Sequence, residues 1–212
     1  MTIFQKLFWL TQMGIESFCS EVKHIPMTKV ETPVASPTKS LTSSRSALSK
    51  TAAHTLQGMG VVPAKVLCIL NAPNAEEDKT GVCLSGPEGE MTKKMLASID
   101  LDVEKNTYIT YLSPWRPPGN RLLTPLEIKE GLEILDKRIA QVKPTYLFVF
   151  GAETLRAMIR GKTLSSLRSS HSTYNDYPVY ATFSASDLIK NPNHRRQAWE
   201  DLKSFKEKIE KV

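Results

Sequence analysis

Apolar positions along this chain change their period several times, and each change predicts an element. Phe4, Leu7, Phe8, Leu10 and Ile15 form an imperfect helical stripe, which predicts one amphipathic helix within residues 1–24. Residues 25–50 (IPMTKVETPVASPTKSLTSSRSALSK) lose the stripe and gather Pro, Ser, Thr and Lys. Such a stretch buries little and reads as a flexible linker. From residue 51 to residue 212 the texture is that of one folded domain.

Within that domain, short apolar runs alternate with longer helical patterns. Residues 65–70 (KVLCIL), 107–112 (TYITYL), 145–150 (TYLFVF) and 178–182 read as strands. Helices are predicted over residues 88–99, 124–142, 152–159 and 193–211. Thr124, Pro125 and Glu127 supply a cap, a first-turn proline and a capping-box acid. Trp199, Leu202, Phe205 and Ile209 give the last helix its apolar face. Strand–helix alternation implies βαβ crossovers and a parallel sheet. The expected fold is therefore α/β, with a mostly parallel four-stranded central sheet between helical layers. A ligand site in such a sheet lies beyond the carboxyl ends of the strands. That draws attention to loops 71–77, 111–121, 151–153 and 183–190.

Bulk properties narrow this picture a little. The 212 residues are 41% hydrophobic and 24% charged, with a formal net charge of +6. That is the composition of a soluble globular chain, and its basic excess suits a polyanion. Cys19, Cys68 and Cys83 form no C-x-x-C pair, which argues against a disulfide framework and a four-cysteine metal site. A reducing cytoplasm is the expected compartment. No apolar run approaches a membrane span, and no signal-peptide pattern is present.

Three places could carry chemistry. Glu76, Glu77 and Asp78 follow the first strand; they read as a solvated helix start, with metal binding or water activation as the alternative. In the loop Trp115-Arg116-Pro117-Pro118-Gly119-Asn120-Arg121, a stiff turn separates two arginines whose forks match phosphate geometry. A purely structural turn explains the same residues. His194, Arg195 and Arg196 open the last helix, either for an anionic partner or as a solvated basic face. His171 reads as a solvated loop residue. No P-loop, Rossmann glycine fingerprint or Gly-x-Ser-x-Gly occurs.

The order of motifs from about Leu48 to Leu202 resembles family-4 uracil-DNA glycosylases. Leu70-Asn71-Ala72-Pro73-Asn74, Glu77-Asp78 and Gly81 are similar to that family's first motif. Pro114-Trp115-Arg116-Pro117-Pro118-Gly119-Asn120-Arg121 matches the second in full for one branch. Lys143-Pro144 and Phe148-Val149-Phe150-Gly151 resemble the third. Ala181-Thr182-Phe183-Ser184-Ala185-Ser186-Asp187-Leu188-Ile189-Lys190 matches the fourth in part.

The resemblance implies base-excision DNA repair: a monomer that flips a base from DNA and hydrolyses its glycosidic bond. It also assigns roles. Asn71 stands where a Glu positions the attacking water, and can orient water but not take its proton. Ala72 and Pro73 line the base. Leu84 stands where a Phe stacks on it, Tyr111 where an Asn reads its edge, and Ser184 where a His donates to its oxygen. Arg116, Asn120, Arg121 and Lys190 are the expected DNA contacts. With four roles altered together, weak or altered uracil excision is expected, a non-catalytic DNA-binding protein being the alternative. The family's iron–sulfur cluster needs four cysteines. The matching positions are Ser43, Ser46, Trp115 and Gly131, so no cluster and no other cofactor is expected.

Overall fold

A computed structural model describes residues 46–170 and 172–211. The helix predicted within residues 1–24, linker residues 25–45 and His171 lie outside the described residues. The domain takes in the end of the stretch read as linker. Leu48, in a 3-10 turn over Ala47–Lys50, is only 3% exposed because it joins Trp115 and Leu123 in the core.

Six strands form one sheet in the order β1-β3-β2-β4-β6-β5. They are β1 (Met59–Gly60), β2 (Val66–Leu70), β3 (Thr107–Tyr111), β4 (Tyr146–Phe150), β5 (Ser172–Tyr174) and β6 (Tyr177–Thr182). The four predicted strands are parallel and central: Cys68 pairs with Ile109 on one side and Phe148 on the other, and Phe148 with Tyr180. The short strands β1 and β5 extend the edges antiparallel.

Because β2 and β4 are covered on both faces, they read as unbroken apolar runs. On one face Leu67, Ile69, Leu147 and Val149 pack with Leu135 and Ile139 of α3 (Pro125–Val142) and Leu155 of α4 (Ala152–Met158). The α1 (Ala75–Thr80) and α2 (Gly86–Ala97) helices precede these in the chain. On the opposite face Phe148 stacks on Phe205 of the last helix, α7 (Arg195–Glu210), with ring centres 4.4 Å apart. Two short helices, α5 (Leu164–Ser169) and α6 (Ala185–Lys190), flank β5 and β6. The result is the expected three-layer α/β/α arrangement. No described helix is long and apolar enough to cross a membrane.

Candidate active site at the carboxyl ends of the parallel strands

The loops leaving β2, β3, β4 and β6 enclose a cleft of about 430 Å³. Asn71, Ala72, Pro73, Leu84, Tyr111, Asn120, Arg121, Ser184 and Lys190 all line it, while Arg116 stands outside its wall. Asn71 follows β2 directly. Its backbone oxygen accepts from the Ser113 amide at 3.0 Å, which ties the β2 exit to the β3 exit. Its side-chain amide makes no hydrogen bond among the described residues and is left for the cleft.

The acids after Asn71 do begin a helix, but two of the three are not solvated. Asn74 caps α1, and Glu77 closes the capping box. Glu77 is 3% exposed. One of its oxygens accepts from the Asn74 amide at 2.8 Å; the other accepts from the Leu84 amide at 2.8 Å and the Tyr111 hydroxyl at 2.5 Å. Burial raises its pKa above the ordinary carboxylate value, and these bonds partly offset that rise. Asp78, also buried, accepts the Ala53 and His54 amides at 2.9 and 3.2 Å, pinning the chain ahead of β1. Both acids are partnered by groups distant in sequence, which explains why the expectation of solvated acids fails for them.

Leu84 does not offer a ring face, and its side chain is buried at 2% exposure. It sits at φ +56°, wedged so tightly against α2 that a Cβ on Gly89 would lie 2.1 Å from its carbonyl carbon. Tyr111 is equally buried, and burial lifts its phenol well above its ordinary pKa. Its proton is given to Glu77 and its oxygen faces the Leu84 amide at 3.4 Å. Neither residue therefore presents a free edge-reading group.

Ser184 is the N-cap of α6. Its hydroxyl accepts the Asp187 amide at 3.1 Å and donates to the Asp187 carboxylate at 2.7 Å, a reciprocal capping box. In the proline-rich loop, Arg116 donates to Asn120 at 2.7 Å and lies 3.9 Å from Asp78. Arg121 spends its fork on Glu127, with bonds of 2.8 and 2.7 Å. Beside that guanidinium the Glu127 carboxyl falls to about 2. Lys190 is exposed at the rim. On the terminal helix, His194 stacks on Phe183 with centres 4.4 Å apart, and Arg196 lies 3.5 Å from Glu200.

The Arg121–Glu127 pair anchors the loop to the first turn of α3. Replacing Arg121 by Ala is expected to lower the melting temperature modestly, since the arginine side chain is 43% exposed and water screens the pair. Glu127's folded value is depressed from 4.5 to about 2. Its contribution is therefore present above the unfolded value and lost as pH falls toward the folded one. Thermal melts of the two proteins should differ at neutral pH and converge on acidification. Equal melting temperatures at neutral pH would show the pair to be idle.

The residues at the cluster positions do not fit an iron–sulfur group. Trp115 is 3% exposed, packs in the core and donates its indole N–H to Thr55 at 3.0 Å. A Cβ on Gly131 would lie 2.5 Å from the Leu112 carbonyl oxygen, leaving no room for a ligand side chain. Ser46 is buried and Ser43 lies outside the described residues. Cys68 is inside β2 and Cys83 precedes Leu84, and burial raises both thiols, Cys83 to about 11. Neither is poised as a thiolate.

Comparison with known proteins agrees with this architecture. Over 104 residues, 49% of this chain and 52% of the relative, the sequence is 33% identical to the Type-4 uracil-DNA glycosylase of Archaeoglobus fulgidus. Over 159 residues, 73% of this chain and 82% of the relative, it is 28% identical to the Type-4 uracil-DNA glycosylase of Thermotoga maritima. A stretch of 147 residues, 69% of this chain, is 22% identical to 16% of a DNA polymerase of Bacillus phage SP01. The match thus spans about half of the Archaeoglobus protein and a small part of the polymerase. The profile of the uracil DNA glycosylase superfamily matches residues 58–203, and so takes in every strand and every wall of the cleft. The chain belongs to the uracil DNA glycosylase superfamily.

Proposed function

We propose that this chain, acting as a monomer, binds DNA across the mouth of the cleft and hydrolyses the N-glycosidic bond of a damaged base turned out of the stack. In this reading it is a base-excision repair glycosylase with weak activity on uracil. The observation that carries the reading is Asn71. Asn71 lines the cleft just past the carboxyl end of β2 with no side-chain hydrogen bond among the described residues, and so has an amide to spend on holding a water against the sugar carbon. Relatives named Type-4 uracil-DNA glycosylase support the reaction class. Lys190 and Arg116, at and beside the rim, supply positive charge toward phosphates.

Uracil excision is weak in this reading because the departing anion lacks donors. The Ser184 hydroxyl is given to Asp187 and the Tyr111 hydroxyl to Glu77. Loss of a single such donor costs about a hundred- to a thousand-fold in rate. These two commitments also favour a second reading, an inert DNA-binding protein that kept the fold. We propose further that the chain works without iron or another cofactor, because Trp115 and Gly131 occupy cluster positions.

A glycosylase assay separates the readings. The full chain is incubated with single- and double-stranded DNA carrying uracil and other deaminated or alkylated bases, beside an Asn71→Ala variant. Salt-sensitive DNA binding, slow base release that disappears in Asn71→Ala, and no stoichiometric iron in anaerobically purified protein are expected. Binding without release of any base establishes the inert reading. Iron with the broad visible absorption of a cluster overturns the cofactor statement.

A further inference from the structure

We propose that the base excised in this cleft is a purine made cationic by N-alkylation, such as N7-methylguanine or N3-methyladenine. This rests on the glycosylase reading above and names its substrate class. The starting point is what the wall no longer offers. A neutral pyrimidine such as uracil takes the electron pair of the broken bond and leaves as an anion, so its departure needs hydrogen-bond donors or positive charge. Here the two hydroxyls at the relevant positions are committed to carboxylates, Ser184 to Asp187 at 2.7 Å and Tyr111 to Glu77 at 2.5 Å.

The charge in the wall has the opposite sign from the one an anion needs. Four carboxylates line the cleft: Glu77, Glu88, Glu153 and Asp187. Among the described residues Glu153 is paired with Arg156, while Glu77, Glu88 and Asp187 form no ion pair. Only two cations among the described residues line it, and one of them, Arg121, is held by Glu127. That leaves Lys190 to oppose the acids. Such a wall repels a departing anion and attracts a cationic base and a sugar developing positive charge.

An N-alkylated purine meets both conditions. Water, oriented by Asn71, forms a C–O bond at the sugar carbon as the bond from that carbon to the purine nitrogen breaks. The bonding pair moves into the ring and cancels its charge, so the base departs neutral. The surplus water proton passes to solvent through the open cleft, and nothing is oxidised or reduced. No group has to stabilise an anion, and a positioned water with no general base suffices for so good a leaving group. The cleft, at about 430 Å³, lies in the usual size range of small-ligand sites and has room for a purine.

The test uses the full chain and three substrates: dimethyl sulfate-treated DNA, and oligonucleotides carrying one uracil or one hypoxanthine. Released bases are quantified by mass spectrometry. Alkylpurine release is expected at about tenfold or more above uncatalysed loss and above release of either neutral base, a barrier difference of about 1.4 kcal/mol. Glu88→Gln should reduce alkylpurine release several-fold while leaving the melting temperature in place. Release of uracil or hypoxanthine without alkylpurine release overturns the inference and leaves the glycosylase reading standing. If no base is released, the glycosylase reading fails, and this inference fails with it. Unchanged alkylpurine release in Glu88→Gln, at a normal melting temperature, removes the electrostatic argument.

Discussion

Exchanging Tyr111 for Asn and Ser184 for His in one protein is expected to raise uracil excision by about a hundred-fold or more, the range associated with a single oxyanion donor. Tyr111 pairs with Leu70 across β2 and β3, immediately beside the exit that carries Asn71. A carboxamide there would replace a phenol turned to Glu77 with a group able to bond a base edge. A His at position 184 would stand at the head of α6, in the lining of the cleft. The double variant should also be less stable than the parent. It loses the reciprocal cap of α6, worth about 0.5–2 kcal/mol, and it takes one donor away from the Glu77 carboxylate. Single-turnover release of uracil, with a thermal melt of each variant, measures both effects. A folded double variant with no gain would mean that the fault lies in the shape of the pocket, which Leu84 lines without a ring.

The four central strands and the cleft between their ends are legible in the chain because β2 and β4 are apolar runs ended by Asn71 and Gly151, while β3 and β6 are rich in β-branched and aromatic residues. The edges are not. β1 has two residues and β5 three, too few for a period to register. The α5 helix is Ser-rich, with little intrinsic helical preference, and holds its start through the Thr163 cap. The chemistry divides in the same way. Spacing alone reports local caps, and the pairs Asn74–Glu77, Thr124–Glu127 and Ser184–Asp187 share the three-residue interval of a capping box. That interval marks Ser184 as a helix cap in the amino-acid sequence itself. What spacing cannot show is the further partner that Glu77 and Glu127 each hold. Tyr111 is 34 residues from Glu77, and the β2–β3 pairing alone brings them together. Arg121 has the look of a phosphate fork because its sequence neighbours are rigid, yet the acid that fills the fork belongs to the next helix.

Glu77 is where fold and site are joined, and its removal is expected to have the largest effect on stability in the domain's polar network. In Glu77→Ala the buried Tyr111 hydroxyl loses its acceptor, the buried Leu84 amide keeps only its long 3.4 Å contact with the Tyr111 oxygen, and the Asn74 amide loses its capping partner. Each buried donor left unsatisfied costs about 1–3 kcal/mol, so about 2–6 kcal/mol is at stake for the two, less the relief of no longer burying a carboxylate. Glu77→Gln keeps one acceptor oxygen and should lose less. The pH dependence distinguishes the charged group from its shape. Burial raises Glu77 above its unfolded value, so its stabilising contribution is complete below that value and declines as pH rises through the folded one. Wild type should therefore lose stability through this group between acid and neutral pH, while Glu77→Gln does not. Urea unfolding at pH values on either side of the carboxylate range measures both trends. An alanine variant within about 1 kcal/mol of wild type at neutral pH would show that other acceptors or water take over the Leu84 and Tyr111 donors. The same experiment bears on the cleft, because Leu84, at positive φ in the cleft lining, donates its amide to Glu77. Once that bond is gone, the segment from Val82 to Gly86 has less reason to keep its course. The DNA binding proposed for the rim should survive, and the course of the cleft lining at Leu84 should not.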